Sequence, residues 1–236
     1  MNYLQMLSLL GVGGAHPGGI SITKEIFEQE QFPISHTILD VGCGTGQTCY
    51  FLDQLGFNVI GLDHSPLMIQ HALNRNKECQ CDILYLQEDI TSTSLKDHSV
   101  DVILSESVLN FTNPEQTLPE IKRILKPNGI IIAIEMTRIG PLSNTGYSEI
   151  TEFYGNPSIL SIDEWKKVFM KCGLSIYKIQ SEEDFSSYKT DEPTTEFHIT
   201  DSIPPSVFNV MSRHEELTLQ YRDKLSYRVF FARRSV

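Results

Sequence analysis

The stretch that constrains this chain most is residues 38–46, where apolar residues lead into Asp40 and glycines then recur at positions 42, 44 and 46. Apolar residues that run into a glycine turn are typical of a buried parallel strand ending beneath a loop, and a helix is predicted to follow over 47–55. Glycine is favoured where the backbone takes a positive φ or lies against a ligand, and a helix beginning there directs free N–H groups at that ligand. The stretch therefore predicts a nucleotide-binding loop at the end of a parallel strand.

The spacing of these glycines separates two kinds of nucleotide site. The dinucleotide fingerprint, G-x-G-x-x-G, requires a third glycine where this chain has Gln47. The frame that fits is D-x-G-x-G-x-G, from Asp40 through Gly46. A nicotinamide dinucleotide is therefore the less favoured ligand of this loop.

Acidic residues follow the next predicted strands. The second strand is predicted to end in Asp63, which lies 21 residues after Gly42. That spacing allows a carboxylate to accept both hydroxyls of an adenosine ribose, and a helix cap is the alternative. The third predicted strand is followed by Asp89 and the fourth by Glu106. Because ligands of parallel sheets bind outside the carboxyl ends of the strands, these acids are expected around one ligand.

At these positions the chain resembles the class I S-adenosylmethionine-dependent methyltransferases, and in particular the small-molecule group that includes the ubiquinone/menaquinone-biosynthesis type. The resemblance covers about residues 36–180, with a closing strand near 226–234. It implies an α/β, Rossmann-like, doubly wound fold whose seven-stranded sheet is mostly parallel, with an antiparallel last strand. It also implies S-adenosyl-L-methionine as the cofactor and transfer of its methyl group to a small-molecule acceptor that the sequence does not identify.

The resemblance also assigns cofactor contacts. In the family, an acidic residue at the position of Asp89 faces the adenine amino group. Ser105 can offer its carbonyl to the methionine ammonium, and residues 106–108 would line the sulfonium. The cofactor-binding positions implied in this chain are Asp40, Gly42, Cys43, Gly44, Gly46, Asp63, His64, Met68, Asp89, Ile90, Ser105, Glu106 and Val108.

Composition limits the kinds of partner and the cellular compartment that are expected for this protein. The net charge of −11 argues against a nucleic-acid partner, which requires a basic surface. No apolar run approaches the ~18 residues that cross a membrane, and no basic residue precedes Lys24, so a cytoplasmic protein is expected. The five cysteines are an odd number with Cys43 inside the glycine loop, which argues against a disulfide framework. Cys79 and Cys81 have no second cysteine pair for a structural zinc, so no metal is predicted.

The chain is predicted to form a single methyltransferase domain with a small cap built from its N-terminal arm and from late insertions. The glycine-rich residues 11–19 are expected to contain no regular element, and the arm to act as a lid over the cofactor. The last strand is flanked by Lys and Arg, which is typical of a sheet edge. The expected parts are an N-terminal helical lid (1–35), a cofactor-binding core (36–180), a cap insertion (181–225) and the closing strand (226–236).

Methyl transfer from a sulfonium is an in-line displacement, so the protein mainly aligns donor and acceptor and excludes water. A base is needed only where the acceptor must lose a proton, and no catalytic residue is therefore assigned. Side chains available for polar contact with the acceptor are His16, Tyr147 and Tyr154, with His198 and His214. Two alternatives remain open: a non-catalytic S-adenosylmethionine-binding protein and a nicotinamide-dependent oxidoreductase. A monomer or a homodimer is expected.

Overall fold

The structure is a computed structural model that describes residues 1–155, 159–186, 195–199 and 203–235. The helices in these ranges are α1 (Tyr3–Leu10), α2 (Gly19–Glu30), α3 (Gln47–Gln54), α4 (Pro66–Cys79), α5 (Pro114–Ile124), α6 (Asn144–Tyr154), α7 (Ile162–Lys171) and α8 (Ser206–Tyr221). The strands are β1 (Val12–Gly13), β2 (Thr37–Val41), β3 (Asn58–Asp63), β4 (Leu84–Gln87), β5 (Val100–Glu106), β6 (Leu125–Arg138), β7 (Leu174–Gln180), β8 (Glu196–Phe197) and β9 (Leu225–Arg234).

Seven strands form one sheet in the order β4-β3-β2-β5-β6-β9-β7. The first five in that order pair in parallel, and β9 is antiparallel to both of its neighbours. The strand order reverses between β2 and β5, since the chain after β2 continues to β3 and β4 on one side and later to β5 and β6 on the other. This confirms the predicted Rossmann-like sheet with an antiparallel last strand, and it places the site-forming crevice at that reversal.

The expectation that β9 forms a sheet edge was wrong. β9 lies between β6 and β7, so its backbone is paired on both sides. One of its basic residues has a different structural use, because the Arg234 guanidinium donates to the carbonyls of Lys122 and Leu125 at the carboxyl end of α5. Unpaired helix carbonyls attract such cations, so a basic residue at this strand end does not require an edge.

The core follows from the two-residue period of the strands. On β2, Leu39 and Val41 contact the apolar cluster that includes Trp165 and Phe169 of α7, whereas Ile38 contacts the cluster formed with α2 and α3 on the other face. Both faces of the sheet are therefore buried beneath helices, which explains why these strands read as continuous apolar runs.

A third apolar cluster joins α1, α6 and α8 into a helical cap, with Tyr3, Ile150 and Leu217 among its buried members. The cap thus includes α6, which had been assigned to the cofactor-binding core. Residues 11–19 do contain a regular element, since β1 pairs antiparallel with β8. This pairing joins segments far apart in sequence, so local composition could not reveal it. Residues 187–194 and 200–202 of the predicted cap insertion, and residue 236, lie outside the described ranges. Within those ranges, the helices are too short or too polar to traverse a bilayer.

Candidate functional site

The loop between β2 and α3 is held in an unusual backbone path by its glycines. Gly42 and Gly44 have φ values of 68° and 53°. The amides of Gly42 and Cys43 donate to the carbonyl of Leu62 at 2.7 and 3.0 Å, which ties the loop to β3. A Cβ on Gly42 would lie 2.4 Å from a methyl carbon of Val108, whereas a Cβ on Gly44 would meet no atom closer than 4.0 Å. Gly44 therefore presents bare backbone to open space, as a ligand cradle requires.

Asp63, at the end of β3, completes this loop. Its Oδ2 accepts from the Gly44 amide at 3.0 Å and its Oδ1 from the Ser65 amide at 2.8 Å. Burial raises the pKa of Asp63, although these two amides and His64 favour the carboxylate. The side chain therefore fixes the glycine loop and also lines the cavity beside it.

A cavity of about 310 Å³ lies over the carboxyl ends of β2, β3 and β5 and against the loop after β4. Ten of the residues that the sequence assigned to the cofactor line it. They are Gly42, Cys43, Gly44, Asp63, His64, Met68, Asp89, Ile90, Glu106 and Val108. We call this the cofactor cavity below.

Asp40 and Gly46 do not line the cofactor cavity. Asp40 is fully buried and its carboxyl accepts from the Cys49 thiol at 3.1 Å. Burial, together with the nearby charge of Glu106, raises the pKa of Asp40 well above its usual range. Gly46 lies behind the loop, where a Cβ would be 2.4 Å from the hydroxyl of Tyr85. Both residues therefore shape the loop from behind.

Ser105 also lies outside the cavity wall, because its hydroxyl points into the sheet and donates to Glu135 at 2.9 Å. Glu135 is fully buried in β6 and accepts from the amides of Leu109 and Asn110 at 3.0 and 3.1 Å. Burial raises the pKa of Glu135 to about 8. This carboxyl therefore anchors the turn after β5, and residues 107 and 108 of that turn line the cavity.

The sequence predicts the N-terminal arm as a lid over the cofactor but does not indicate which of its residues line the cavity, because that depends on contacts of α1 with distant segments. The start of α3 was likewise predicted only as a helix. The wall residues not foreseen include Tyr3, Leu4, Leu7, Ser8, Val12, Gly13, Gly14, Ala15, Thr45, Gln47, Thr48, Phe111 and Thr112.

The cofactor cavity is strongly acidic. Four carboxyl side chains line it, those of Asp63, Glu88, Asp89 and Glu106, and the described wall contains no Lys or Arg. Uncompensated carboxylates favour a cationic ligand and oppose the diphosphate of a dinucleotide. The wall therefore suits a sulfonium cofactor better than a nicotinamide dinucleotide. In the part of the chain that the structure describes, no group of His, Cys, Asp or Glu is arranged to hold a metal ion.

The Glu106 carboxyl in this wall has polar neighbours on three segments of the chain. Its Oε2 accepts from the Thr48 hydroxyl of α3 at 2.9 Å, and its Oε1 accepts from the Thr23 hydroxyl of α2. The Nε2 of His16 lies 3.3 Å from Oε1, and the Glu106 side chain is 9% exposed. The carboxyl is thus held between two helices and the glycine-rich arm.

A second cavity, of about 600 Å³, adjoins the first and is called the cap cavity below. It lies between the turn after β5 and the helical cap, with Ile150 of α6 and Met211 of α8 in its wall. Eight residues line both cavities: Tyr3, Leu7, Val12, Gly14, Ala15, His16, Ser107 and Phe111. The two cavities therefore meet along a common wall, of which His16 is one member.

The other residues expected near the acceptor are dispersed. Tyr154 and His214 line the cap cavity, and the Tyr154 hydroxyl lies 2.8 Å from Nδ1 of His214. Burial raises the pKa of Tyr154 to about 12 and lowers that of His214. Tyr147 is 46% exposed and lines neither cavity, and His198 lies beside the Arg75 guanidinium instead.

Comparison with known proteins agrees with this geometry. Residues 39–133 match a methyltransferase domain family. The chain is 34% identical over 233 residues to the uncharacterized methyltransferase YodH of Bacillus subtilis (strain 168), covering 98% of each protein. The solved structure of the cyclase SpnF shares the fold with a TM-score of 0.73 at 19% identity, and the match covers 91% of this chain and 80% of that one. Geranyl diphosphate C-methyltransferase of Streptomyces coelicolor A3(2) also shares it, with a TM-score of 0.70 at 16% identity, and the match covers 91% of this chain and 79% of that one. The latter was solved with S-adenosyl-L-homocysteine.

The residues present fit the cofactor that this relationship implies. The backbone at Gly44 is open to the cavity, Asp63 offers a carboxyl at its rim, and the acidic wall matches a cationic ligand. These features are the ones that a bound S-adenosylmethionine needs for its adenosine and its positive charge. The chain belongs to the class I S-adenosylmethionine-dependent methyltransferases.

Proposed function

We propose that this enzyme methylates a small molecule with a largely apolar body, held in the cap cavity. S-Adenosylmethionine, when bound, supplies an activated methyl group. The observation that carries the proposal is the wall common to the two cavities, since a methyl group can pass directly between ligands only where their sites meet. A volume of about 600 Å³ is in the range of small-molecule sites.

The lining of the cap cavity supports an acceptor of this kind. Most of its side chains are apolar or aromatic, and they include Met6, Leu10, Met136, Ile139, Ile150, Phe197, Met211, Leu217 and Leu225. A few polar groups remain to orient the acceptor, among them the hydrogen-bonded pair of Tyr154 and His214. The solved structure from Streptomyces coelicolor, named above, was determined with geranyl diphosphate, another small molecule with an apolar body.

The roles of individual side chains follow from their places in these walls. His16 lines both cavities and is 7% exposed, so it is positioned to accept a proton from an acceptor that must lose one. Helix α1 and residues 12–16 lie over both cavities and exclude water, the role expected of a lid. Asp63 and the glycine loop would hold the adenosine end of the cofactor.

The test is transfer of labelled methyl groups from S-adenosylmethionine to cell extract divided into small molecules, RNA and protein. We expect label in the small molecules that partition into organic solvent. Met211→Trp, which fills the cap cavity, should lower the rate at least tenfold while S-adenosylhomocysteine binding stays intact. Leu219→Trp is the matched control, since Leu219 is 68% exposed on the same helix. Label in RNA or protein, or equal rates for the two variants, would refute the proposal.

The expected cytoplasmic location and the absence of a nucleic-acid partner rest on composition and stay predictions. RNA incubated with the enzyme at low salt provides the check, because binding through phosphates weakens steeply as salt is added. Salt-sensitive retention of the protein on RNA would contradict the second prediction.

A further inference from the structure

We propose that Glu106 makes the cofactor cavity selective for the positive charge of the methyl donor, so that the donor binds better than the product. Methyl transfer leaves the electron pair of the broken C–S bond on sulfur, and a sulfonium becomes a neutral thioether. The methionine ammonium and carboxylate keep their charges. A carboxylate beside the sulfur therefore loses one favourable interaction in each turnover, and the product is released more readily.

The first support is the set of hydrogen-bond donors around each carboxyl of the cofactor cavity. Asp63, Glu88 and Asp89 each accept at least one hydrogen bond from a backbone amide of a neighbouring turn. Glu106 accepts from the hydroxyls of Thr23 and Thr48, and the Nε2 of His16 lies 3.3 Å from its Oε1. No Lys or Arg among the described residues lies within ion-pair distance of Glu106. Asp63, Glu88 and Asp89 likewise have no Lys or Arg partner among the described residues, so Glu106 differs from them in being held by side-chain hydroxyls and not by backbone amides.

The second support is position. His16, which contacts Glu106, lines both cavities, and residues 107 and 108 follow it in the cofactor wall. The methyl group must leave the cofactor cavity where the two cavities meet, so the sulfonium is expected at that end. This step rests on the proposed function, because it takes the cap cavity as the acceptor site.

Burial makes the interaction strong enough to measure. The Glu106 side chain is 9% exposed, and charges in such positions are screened much less than charges on the surface. A neutral side chain at position 106 should therefore weaken binding of the cationic donor at least tenfold.

The competing explanation is structural: Glu106 joins α2 and α3 through Thr23 and Thr48, and its loss could loosen the whole cavity. A loosened cavity would weaken all cofactor analogues by a common factor. A contact between Glu106 and the methionine ammonium would do the same, because donor and product share that group. Only recognition of the charge at sulfur separates the analogues.

The test is equilibrium binding of three ligands by calorimetry, without acceptor, so that failure of the acceptor assignment does not affect it. The ligands are S-adenosylmethionine, S-adenosylhomocysteine and sinefungin, which carries an amine in place of the sulfonium. We expect Glu106→Gln to weaken the two cationic ligands at least tenfold and S-adenosylhomocysteine less than threefold. In the control, Glu88→Gln, the three affinities should change by a common factor to within twofold.

Equal weakening of all three ligands in Glu106→Gln would overturn the proposal. Weaker binding of S-adenosylmethionine with unchanged binding of sinefungin would also overturn the proposal, because Glu106 would then respond to the methyl group and not to the positive charge of the ligand. Glu106→Met, a neutral side chain of similar length, is the second variant should Glu106→Gln fail to fold. The same separation of ligands is expected of it.

Discussion

Replacing the buried Glu135 with Gln removes a group whose ionisation the fold opposes. Glu135 accepts from the Ser105 hydroxyl and from the amides of Leu109 and Asn110, at 2.9, 3.0 and 3.1 Å. These donors favour the carboxylate, but burial outweighs them and raises the pKa of Glu135 from 4.5 to about 8. The variant keeps the shape of the side chain and cannot ionise.

The direction of the effect follows from proton linkage. Between pH 4.5 and about 8 the unfolded chain releases this proton while the folded protein retains it, so stability is full below 4.5 and is lost as the pH rises towards 8. Within that range, the free energy of unfolding falls by about 1.4 kcal/mol for each pH unit. The free energy of unfolding of the wild type, relative to Glu135→Gln, should therefore fall by roughly 3 kcal/mol between about pH 5 and pH 7.5.

Urea unfolding at half-unit pH intervals measures this difference directly. Glu120→Gln is the control. Hydrogen bonds from Arg123 are the main reason that the pKa of Glu120 is lowered to about 2, so Glu120 stays ionised throughout this pH range. The difference between wild type and Glu120→Gln should stay constant there. A constant difference between wild type and Glu135→Gln would show that Glu135 ionises normally and would refute the reasoning.

Three further predictions concern the cofactor cavity. Gly42→Ala places a Cβ 2.4 Å from a methyl carbon of Val108 at a residue with positive φ, so the melting temperature and the affinity for S-adenosylhomocysteine should both fall. Gly155→Ala is the control, because Gly155 also has a positive φ but its Cβ would meet no atom within 4 Å, and both quantities should fall less in this variant. Asp63→Asn should weaken S-adenosylhomocysteine by roughly 1.5–3 kcal/mol in calorimetry, and unchanged affinity would remove Asp63 from the site. Deleting residues 1–18 removes a wall of both cavities, so equal affinity and equal methyl transfer would contradict the proposed lid.

The cofactor half of the site could be predicted because its determinants are local. Continuous apolar runs that end in Asp63 or in the glycines at 42 and 44 define where strands stop, and the ends of parallel strands share one edge. The three residues outside the wall show the limit of this reasoning. Asp40 shares the β2 face of Ile38, which is covered by α2 and α3, so the two-residue period itself would have directed its carboxyl away from the cavity.

The remaining structure depends on contacts between segments that are distant in sequence. The insertion of β9 between β6 and β7, and the pairing of β1 with β8, have no local signature. The same is true of α1, whose apolar positions could have packed against any part of the core. Helix propensity and spacing define such elements, but tertiary packing decides where they lie.

This difference bears on how the acceptor can be identified. The methyltransferase domain match ends at residue 133, before α6 begins at Asn144, so it covers the cofactor loops and, of the described cap-cavity wall, Ser107, Asn110 and Phe111 alone. The alignment with YodH spans 98% of the chain and therefore takes in α1, α6 and α8, each of which contributes residues to the wall of the cap cavity. Sequence differences in α6 and α8 change the cap cavity without changing a residue that lines the cofactor cavity, whereas α1 lines both. Relatives aligned across the cap are thus the ones expected to share an acceptor, while relatives aligned over the core alone share the methyl donor.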